Sequence, residues 1–497
     1  MQLAPAGVGD GRFVQARGRM SPVRMWQAPD RQGAIVRILL VQPGFSEGVG
    51  FRLVASPEPL HLEMIAAVVP EHEVRILDMR LDTDLDSTLQ KFQPEMVAVT
   101  ALTPEVSTAQ NILHQVKTFA PDIFTVVGGH HATLLPQDFS LPQVDAIAVG
   151  DGEVMFEKLV RAVAHRRGLA GVPNIVWQDR DGTFIHNGRS DDRTNLGNLP
   201  IPRRDLTEAY RNEYFFLFDR PDTSVATSRG CPFRCRFCSV HEFHRGAITQ
   251  MPPQRVLAEV AAVSTEHITF VDDNFLMNHR RETAIADMIR SEGIRKRYSM
   301  ECRTDSIVRH PELVEKWVDI GLYAVLLGLE GGSDRMLKGV NKSCTIDTNN
   351  QAIKILQDNG VIIWGAFIVD PDWTADDFKR LRDYVRQKRI THTQFTVLTP
   401  LPGTQLYRER CGELLTDDYS CFDTLHAVVP TRLPREEFYR QFAGLYRQTD
   451  IGPYYDLVQS AKMTIEDCRR GKKMLDALAD WERYIEKDPV LGRTAVT

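Results

Sequence analysis

The stretch Thr227-Ser-Arg-Gly-Cys231-Pro-Phe-Arg-Cys235-Arg-Phe-Cys238 decides how this chain is read. Its three cysteines have the spacing C-x3-C-x2-C, with Phe237 just before the third. Three thiolates on one short loop can ligate three irons of a [4Fe–4S] cluster, because such clusters are held by cysteine sulfur. No fourth cysteine follows at short range, and the next is Cys302. The fourth iron would then keep an open coordination position, where chemistry can occur. The competing reading is a structural zinc site closed by His241 or His244, since mixed Cys/His sets bind zinc.

Downstream of the motif, strand candidates recur at the spacing of βα units: 224–227, 268–271, 298–302, 323–327, 362–368 and 394–398. Amphipathic segments at 255–263, 282–289, 313–320 and 350–357 lie between them as helices. Six such units make a partial barrel, open on one side. Chemistry in parallel barrels sits on loops at the C-terminal ends of strands, and the cysteine loop follows the first strand. A zinc knuckle needs no such surroundings. Asp272-Asp273-Asn274 ends the second strand, Cys302-Arg303-Thr304-Asp305 the third and Gly328-Leu329-Glu330-Gly331 the fourth.

Upstream, residues 36–165 read as a doubly wound α/β domain. Apolar runs at 36–41, 74–77, 96–100, 123–127 and 146–149 alternate with helical stretches such as 105–119. Continuous apolar strands of this kind imply a parallel sheet covered on both faces. Ligands bind such sheets beyond the carboxyl ends of the strands. Those ends carry Gln42-Pro43-Gly44, Thr100-Ala-Leu102-Thr103, Gly128-Gly129-His130-His131 and Gly150-Asp-Gly152-Glu153. Glycine there allows close approach to the backbone, although any one glycine pair taken by itself is better explained by a tight turn.

The cysteine motif in this barrel resembles the signature of the radical S-adenosylmethionine (SAM) enzymes. The four upstream loops together resemble the cobalamin-binding domain that precedes many of their barrels. The run of the chain from 36 to 407 is similar to the cobalamin-dependent radical SAM methyltransferases, and most like the hopanoid C-3 methylases within them. The resemblance implies a [4Fe–4S] cluster on Cys231, Cys235 and Cys238, with SAM chelated at the open iron and cleaved to a 5′-deoxyadenosyl radical. It implies SAM contacts from Phe237, Asp272, Arg303 and Glu330. It also implies cobalamin contacts from Gln42, Pro43, Thr100, Leu102, Thr103, Gly128, Gly129, Gly150, Gly152 and Glu153. The family's D-x-H-x-x-G motif is missing after the first strand, so no histidine from it can ligate cobalt from below. His130 and His131 read as loop residues. The expected reaction is methylation of an unactivated carbon, with a small molecule or a lipid such as a hopanoid as substrate and an electron-donor protein as partner. A cyclase or rearrangement enzyme could use the same cofactors. Methylthiotransferases carry a second cluster in an N-terminal domain, and no cysteine precedes Cys231.

The expected division is 1–35 as a flexible extension, 36–165 for cobalamin, 166–222 as hairpin and linker, 223–405 as the barrel and 406–497 as a helical tail. In the tail, Met474, Leu478, Trp481 and Ile485 form a stripe expected to pack on the barrel. The net charge of −6, with no long basic run, speaks against a nucleic-acid partner. Eight cysteines in 497 residues form no disulfide framework. The longest apolar run, 361–369, is too short to span a bilayer. These features suggest a cytoplasmic enzyme that meets any lipid at the membrane surface.

Overall fold

The computed structural model describes residues 35–44, 55–190, 193–217, 219–390, 392–447 and 464–491. The extension expected over 1–35 falls almost wholly outside them.

The first domain is one sheet of seven strands. Its strands are β1 (Arg37–Gln42), β2 (Glu73–Asp78), β3 (Met96–Thr100), β4 (Phe124–Gly128), β5 (Ala146–Ala148), β6 (Ile175–Gln178) and β7 (Phe184–His186). The spatial order is β2-β1-β3-β4-β5-β6-β7, with the first five parallel. The strands are apolar along their length because both faces are covered. Ile38 and Leu40 pack on one side with Phe156 and Leu159, whereas Leu39 and Val41 pack on the other with Leu89 and Leu113. Strand order reverses between β1 and β3, and an α/β sheet opens its ligand crevice at such a switch point. The hairpin assigned from sequence to a linker belongs to this sheet instead. β6 pairs antiparallel with β5, and β7 with β6.

The second domain contains β8 (Asp222–Val225), β9 (His267–Phe270), β10 (Arg297–Arg303), β11 (Leu322–Glu330), β12 (Ile362–Val369) and β13 (His392–Val397). They form a six-stranded parallel sheet in sequential order. The outer face packs on helices through Phe270, Tyr298, Met300, Cys302, Val325, Leu327 and Phe367, with Trp317 at the centre of an aromatic group. The other face is only partly covered. Leu326, Gly328, Ala366, Gln394 and Thr396 are half-buried between fully buried neighbours. This alternation marks a concave lumen, because successive side chains point to opposite faces.

The tail stripe packs as expected: Leu478 and Tyr484 are buried in the barrel's core, with Met474, Trp481 and Ile485 against it. Its helix is broken, however, into Ile465–Leu478 and Glu482–Glu486. The Tyr484 hydroxyl donates to the carbonyl of Leu478 at 2.6 Å, satisfying one of the carbonyls a helix end leaves unpaired. No helix among the described residues is long and apolar enough to cross a membrane.

Candidate functional site

The cysteine loop is anchored by Asp272, at the end of the neighbouring strand. The Thr227 N–H, the Thr227 hydroxyl and the Ser228 hydroxyl donate to its carboxylate at 2.5, 2.6 and 2.8 Å. Asp272 is fully buried, and burial raises its pKa against the pull of these donors. Both oxygens are occupied by the chain, so the carboxylate expected to meet SAM is turned inward. Asp273 faces the loop instead and accepts the Gly230 N–H at 2.8 Å. Gly230 has φ +90°, and an added Cβ would lie 2.0 Å from the Ala247 carbonyl. Ser228–Arg229 then pairs antiparallel with Thr249–Gln250, closing the loop at its base.

Cys231, Cys235 and Cys238 are half-buried free thiols on this loop. The Cys238 N–H donates to the Cys235 carbonyl at 3.1 Å. Burial raises the Cys231 thiol and pushes Cys238 up to about 12. A ligated metal would work against that rise, since ligation favours the thiolate. Cys302 is buried among the outer-face side chains of β10 and cannot close the set. Three thiols on one loop suit a cluster that takes one thiolate per iron.

Arg303 stands beside the loop. Its guanidinium reaches the Cys235 sulfur at 3.7 Å, lies 3.5 Å from the Phe233 ring centre, and donates to Asp305 and to the Lys342 carbonyl, each at 2.8 Å. Glu330 is buried and pairs with Lys342 at 2.6 Å. Its backbone is left-handed, with φ +57°, an uncommon and costly conformation away from glycine. A Cβ on Gly328 would sit 2.6 Å from the Lys342 ammonium and 2.8 Å from the Glu330 carboxylate, so glycine makes room for the pair. Phe237 packs against Val340, Ile368, Leu398 and Leu406 at the ends of the last strands. The structure thus brings Arg303, Glu330 and Lys342 together beside Cys235, with Phe237 across the mouth. Lys342 was not expected: it lies twelve residues beyond Glu330 in the chain, outside any strand-end motif.

In the first domain the candidate residues gather at the carboxyl edge and bond largely to one another. Gln42 donates to Glu105, which accepts the Leu102 N–H at 2.9 Å. Leu102 itself is 53% exposed. Gly129, at φ +94°, lies so close to the next loop that a Cβ would be 2.6 Å from the Thr100 hydroxyl. His131 is buried and bonds Thr103 and Asp138, fixing one loop to the other. The Gly150 N–H donates to Thr133 at 2.9 Å. Gly152 fits against Ile65, and Pro43 is buried beside the switch point. Among the described residues this is a backbone-lined cradle with the apolar side chain of Leu102 presented outward.

The two edges meet. Arg229, two residues before the first cysteine, pairs with Glu153 and, at 3.3 Å, with Asp151. Burial works against the Glu153 carboxylate, but Arg229 outweighs it and holds the pKa below the ordinary range. His130 bonds the hydroxyl of Ser239, next to Cys238, at 2.6 Å, and stacks on Phe243 at 4.9 Å. Burial lowers its pKa to about 4, so the ring is neutral near pH 7. The Arg189 guanidinium donates to the Phe243 carbonyl at 2.5 Å. Loops expected to hold cobalamin are therefore bonded to the loop expected to hold the cluster.

The Radical SAM superfamily model matches residues 225–385 and the B12 binding domain model residues 48–160. The hopanoid C-3 methylase of Methylococcus capsulatus is 30% identical over 77% of this chain and 74% of its own. The chain belongs to the cobalamin-dependent radical SAM methyltransferase family. The anaerobic magnesium-protoporphyrin IX monomethyl ester cyclase of Rubrivivax gelatinosus is 26% identical over 83% of this chain and 77% of its own. A solved structure of the cobalamin-dependent S-adenosylmethionine radical enzyme OxsB, with aqua-cobalamin and SAM bound, shares the fold. It has a TM-score of 0.69 at 16% identity, covering 91% of this chain and 72% of that one. The protein is accordingly a radical SAM methyltransferase, with a [4Fe–4S] cluster, SAM and cobalamin as cofactors.

Proposed function

We propose that this enzyme methylates an unactivated carbon of a polycyclic lipid, with hopanoids as the substrate class. The observation that carries the reading is the seam of Arg229, Glu153, His130 and Ser239, which holds the cluster loop against the strand ends of the first domain. A hopanoid methylase among the relatives supports the substrate class. When bound, the cluster with SAM supplies a hydrogen-abstracting radical and cobalamin supplies a methyl group, chemistry that belongs to the cofactors. The chain's part is to hold, orient and exclude water.

In this reading Cys231, Cys235 and Cys238 ligate the cluster. Arg303 and the Glu330–Lys342 pair orient the charged end of SAM, Phe237 lies along its adenine, and Asp273 takes the place at first given to Asp272. Thr100, Leu102, Gly128, Gly129 and Gly150 shape the cobalamin cradle. Gln42, Pro43, Thr103, Gly152 and Glu153 stand behind them as supports. An electron-donor protein reduces the cluster. A second reading, ring closure without methyl transfer, is favoured by the cyclase among the relatives. Expression in a hopanoid-producing host lacking such a methylase tests the proposal. The expected result is a new population of hopanoids carrying one extra methyl group. An unchanged lipid profile, with the cluster and cobalamin loaded, would overturn the substrate class.

A further inference from the structure

Glu301 lies in the middle of β10, an interior strand of the barrel sheet. Its neighbours Met300 and Cys302 are buried in the outer-face core. Ser299, Glu301 and Arg303 therefore share the lumen face, since alternate residues point the same way. The two flanking residues agree with this. Ser299 bonds Thr269 of the adjacent strand at 2.8 Å, and Arg303 reaches Cys235. The Glu301 side chain makes no hydrogen bond or ion pair with any described residue, yet it is exposed in a strand whose other members are mostly buried. Val271, at the end of the adjacent strand, is 43% exposed. In the layer above, Arg303 registers with Gly328 and Gly328 with Ala366, two residues with little side chain. Accessible groups on the concave face of this sheet mean open space, and small residues beside them enlarge it.

The charges around this space are uneven. Asp273 and Glu330 add negative charge at the rim, where the cations Lys342 and Arg303 are already paired, with Glu330 and Asp305. Although its surface is reached through the lumen, the enclosing sheet strips water from the Glu301 carboxyl and, with Asp273 adding to the rise against the pull of Lys342, pushes it up to about 7. A hydrocarbon surface brought against such a group would strip its water and return no hydrogen bond. A hydroxyl would make the hydrogen bond that the chain leaves unmade. Arg303, two residues nearer the cysteine loop, separates Glu301 from that loop by roughly 7 Å of strand. The carboxylate is thus placed to read what lies below the rim.

We propose that Glu301 is a specificity residue that accepts a hydrogen bond from a hydroxyl on the ring system carried into the barrel lumen. The substrate is then an oxygenated polycyclic lipid rather than a bare hydrocarbon. This inference rests on the lipid reading given above. Sites built to bond a hydroxyl reject the analogue without it strongly, by factors up to about 10⁴–10⁵.

The test uses fully loaded holoenzyme in wild-type, E301Q and E301L forms. With SAM alone and a chemical reductant, all three should bind SAM and form 5′-deoxyadenosine within twofold of one another. A tenfold loss in either variant would place Glu301 on SAM and overturn the proposal. Two pentacyclic triterpenoids differing only in one ring hydroxyl are then compared. Wild type should favour the hydroxylated lipid at least a hundredfold in kcat/KM. E301L should lose that preference to within about threefold, while E301Q, whose amide still accepts, should keep part of it. Equal use of both lipids by wild type would overturn the role of Glu301 and leave methyl transfer to lipids standing. Use of neither, with intact 5′-deoxyadenosine formation, would remove the lipid reading and this proposal with it.

Discussion

The two sheets end in loops of opposite character. In the first domain the polar groups at the carboxyl edge satisfy one another: Gln42 with Glu105, Thr103 with His131, Thr133 with Gly150. Among the described residues, backbone and apolar side chains such as Leu102 remain outward, a surface suited to a large, preformed cofactor held by shape. At the barrel mouth the chain instead keeps charges in reserve. Arg303 lies against a cysteine, and Glu330 sits in strained backbone beside Lys342. A small charged ligand needs orientation, and orientation comes from placed charges. One edge is finished without its ligand and the other is completed by it.

Removing a cluster thiolate should break this contrast most severely. Cys231→Ala, Cys235→Ala or Cys238→Ala should lower iron from about four per chain and abolish SAM cleavage, while cobalamin binding to the other edge persists. Iron analysis with 5′-deoxyadenosine assay checks this. Tightly bound zinc with no iron–sulfur absorption in anaerobic protein would sink the assignment.

The seam between the edges comes next. Arg229→Gln leaves Glu153 buried without its cation and should cost about 3–5 kcal/mol, read as a lower denaturation midpoint. The pH dependence gives the sign. In wild type the folded Glu153 pKa is depressed, so the bridge stabilises above the ordinary carboxylate range and is lost as pH falls through the folded value. In the variant burial acts alone and raises that pKa. The stability gap should therefore narrow steadily from pH 7 to pH 4. A gap that does not change with pH would mean that the pair contributes by packing only.

Gly129→Ala tests the finished edge. A methyl at φ +94° meets the Thr100 hydroxyl and the Ala101 backbone. The left-handed backbone alone costs about 1–2 kcal/mol, so a loss of at least that size is expected, with weaker cobalamin retention. Ser239→Ala removes one hydrogen bond from His130 and should cost only about 1 kcal/mol. Its effect should appear in the coupling of methyl transfer to SAM cleavage more than in cleavage itself.

The fold was legible because both sheets use buried parallel strands, and each of the eleven apolar runs picked out is a strand in the structure. The hairpin was seen, but not its place, since pairing of Ile175–Gln178 with β5 depends on an edge nearly thirty residues away. The break at residues 479–481 escaped because the stripe of Met474, Leu478, Trp481 and Ile485 keeps a helical period across it. At the site, the cysteine spacing is local and was plain. The occupation of Asp272 by Thr227 and Ser228, and of Glu153 by Arg229, depends on contacts 44 to 76 residues apart. Sequence spacing shows which carboxylates reach a strand end, not which are already partnered there. Glu301 could have been picked out as the lone acid of its strand, between Met300 and Cys302.

The central claim is that the two edges work together to transfer a methyl group. The most direct measurement is turnover with SAM carrying a trideuterated methyl group, following lipid product, S-adenosylhomocysteine and 5′-deoxyadenosine together. The account predicts a product that gains the intact labelled methyl at a carbon with no acidic proton, with the two SAM-derived products formed in equal amounts. A product of unchanged carbon count and no label would contradict methyl transfer and leave the cyclase reading in its place.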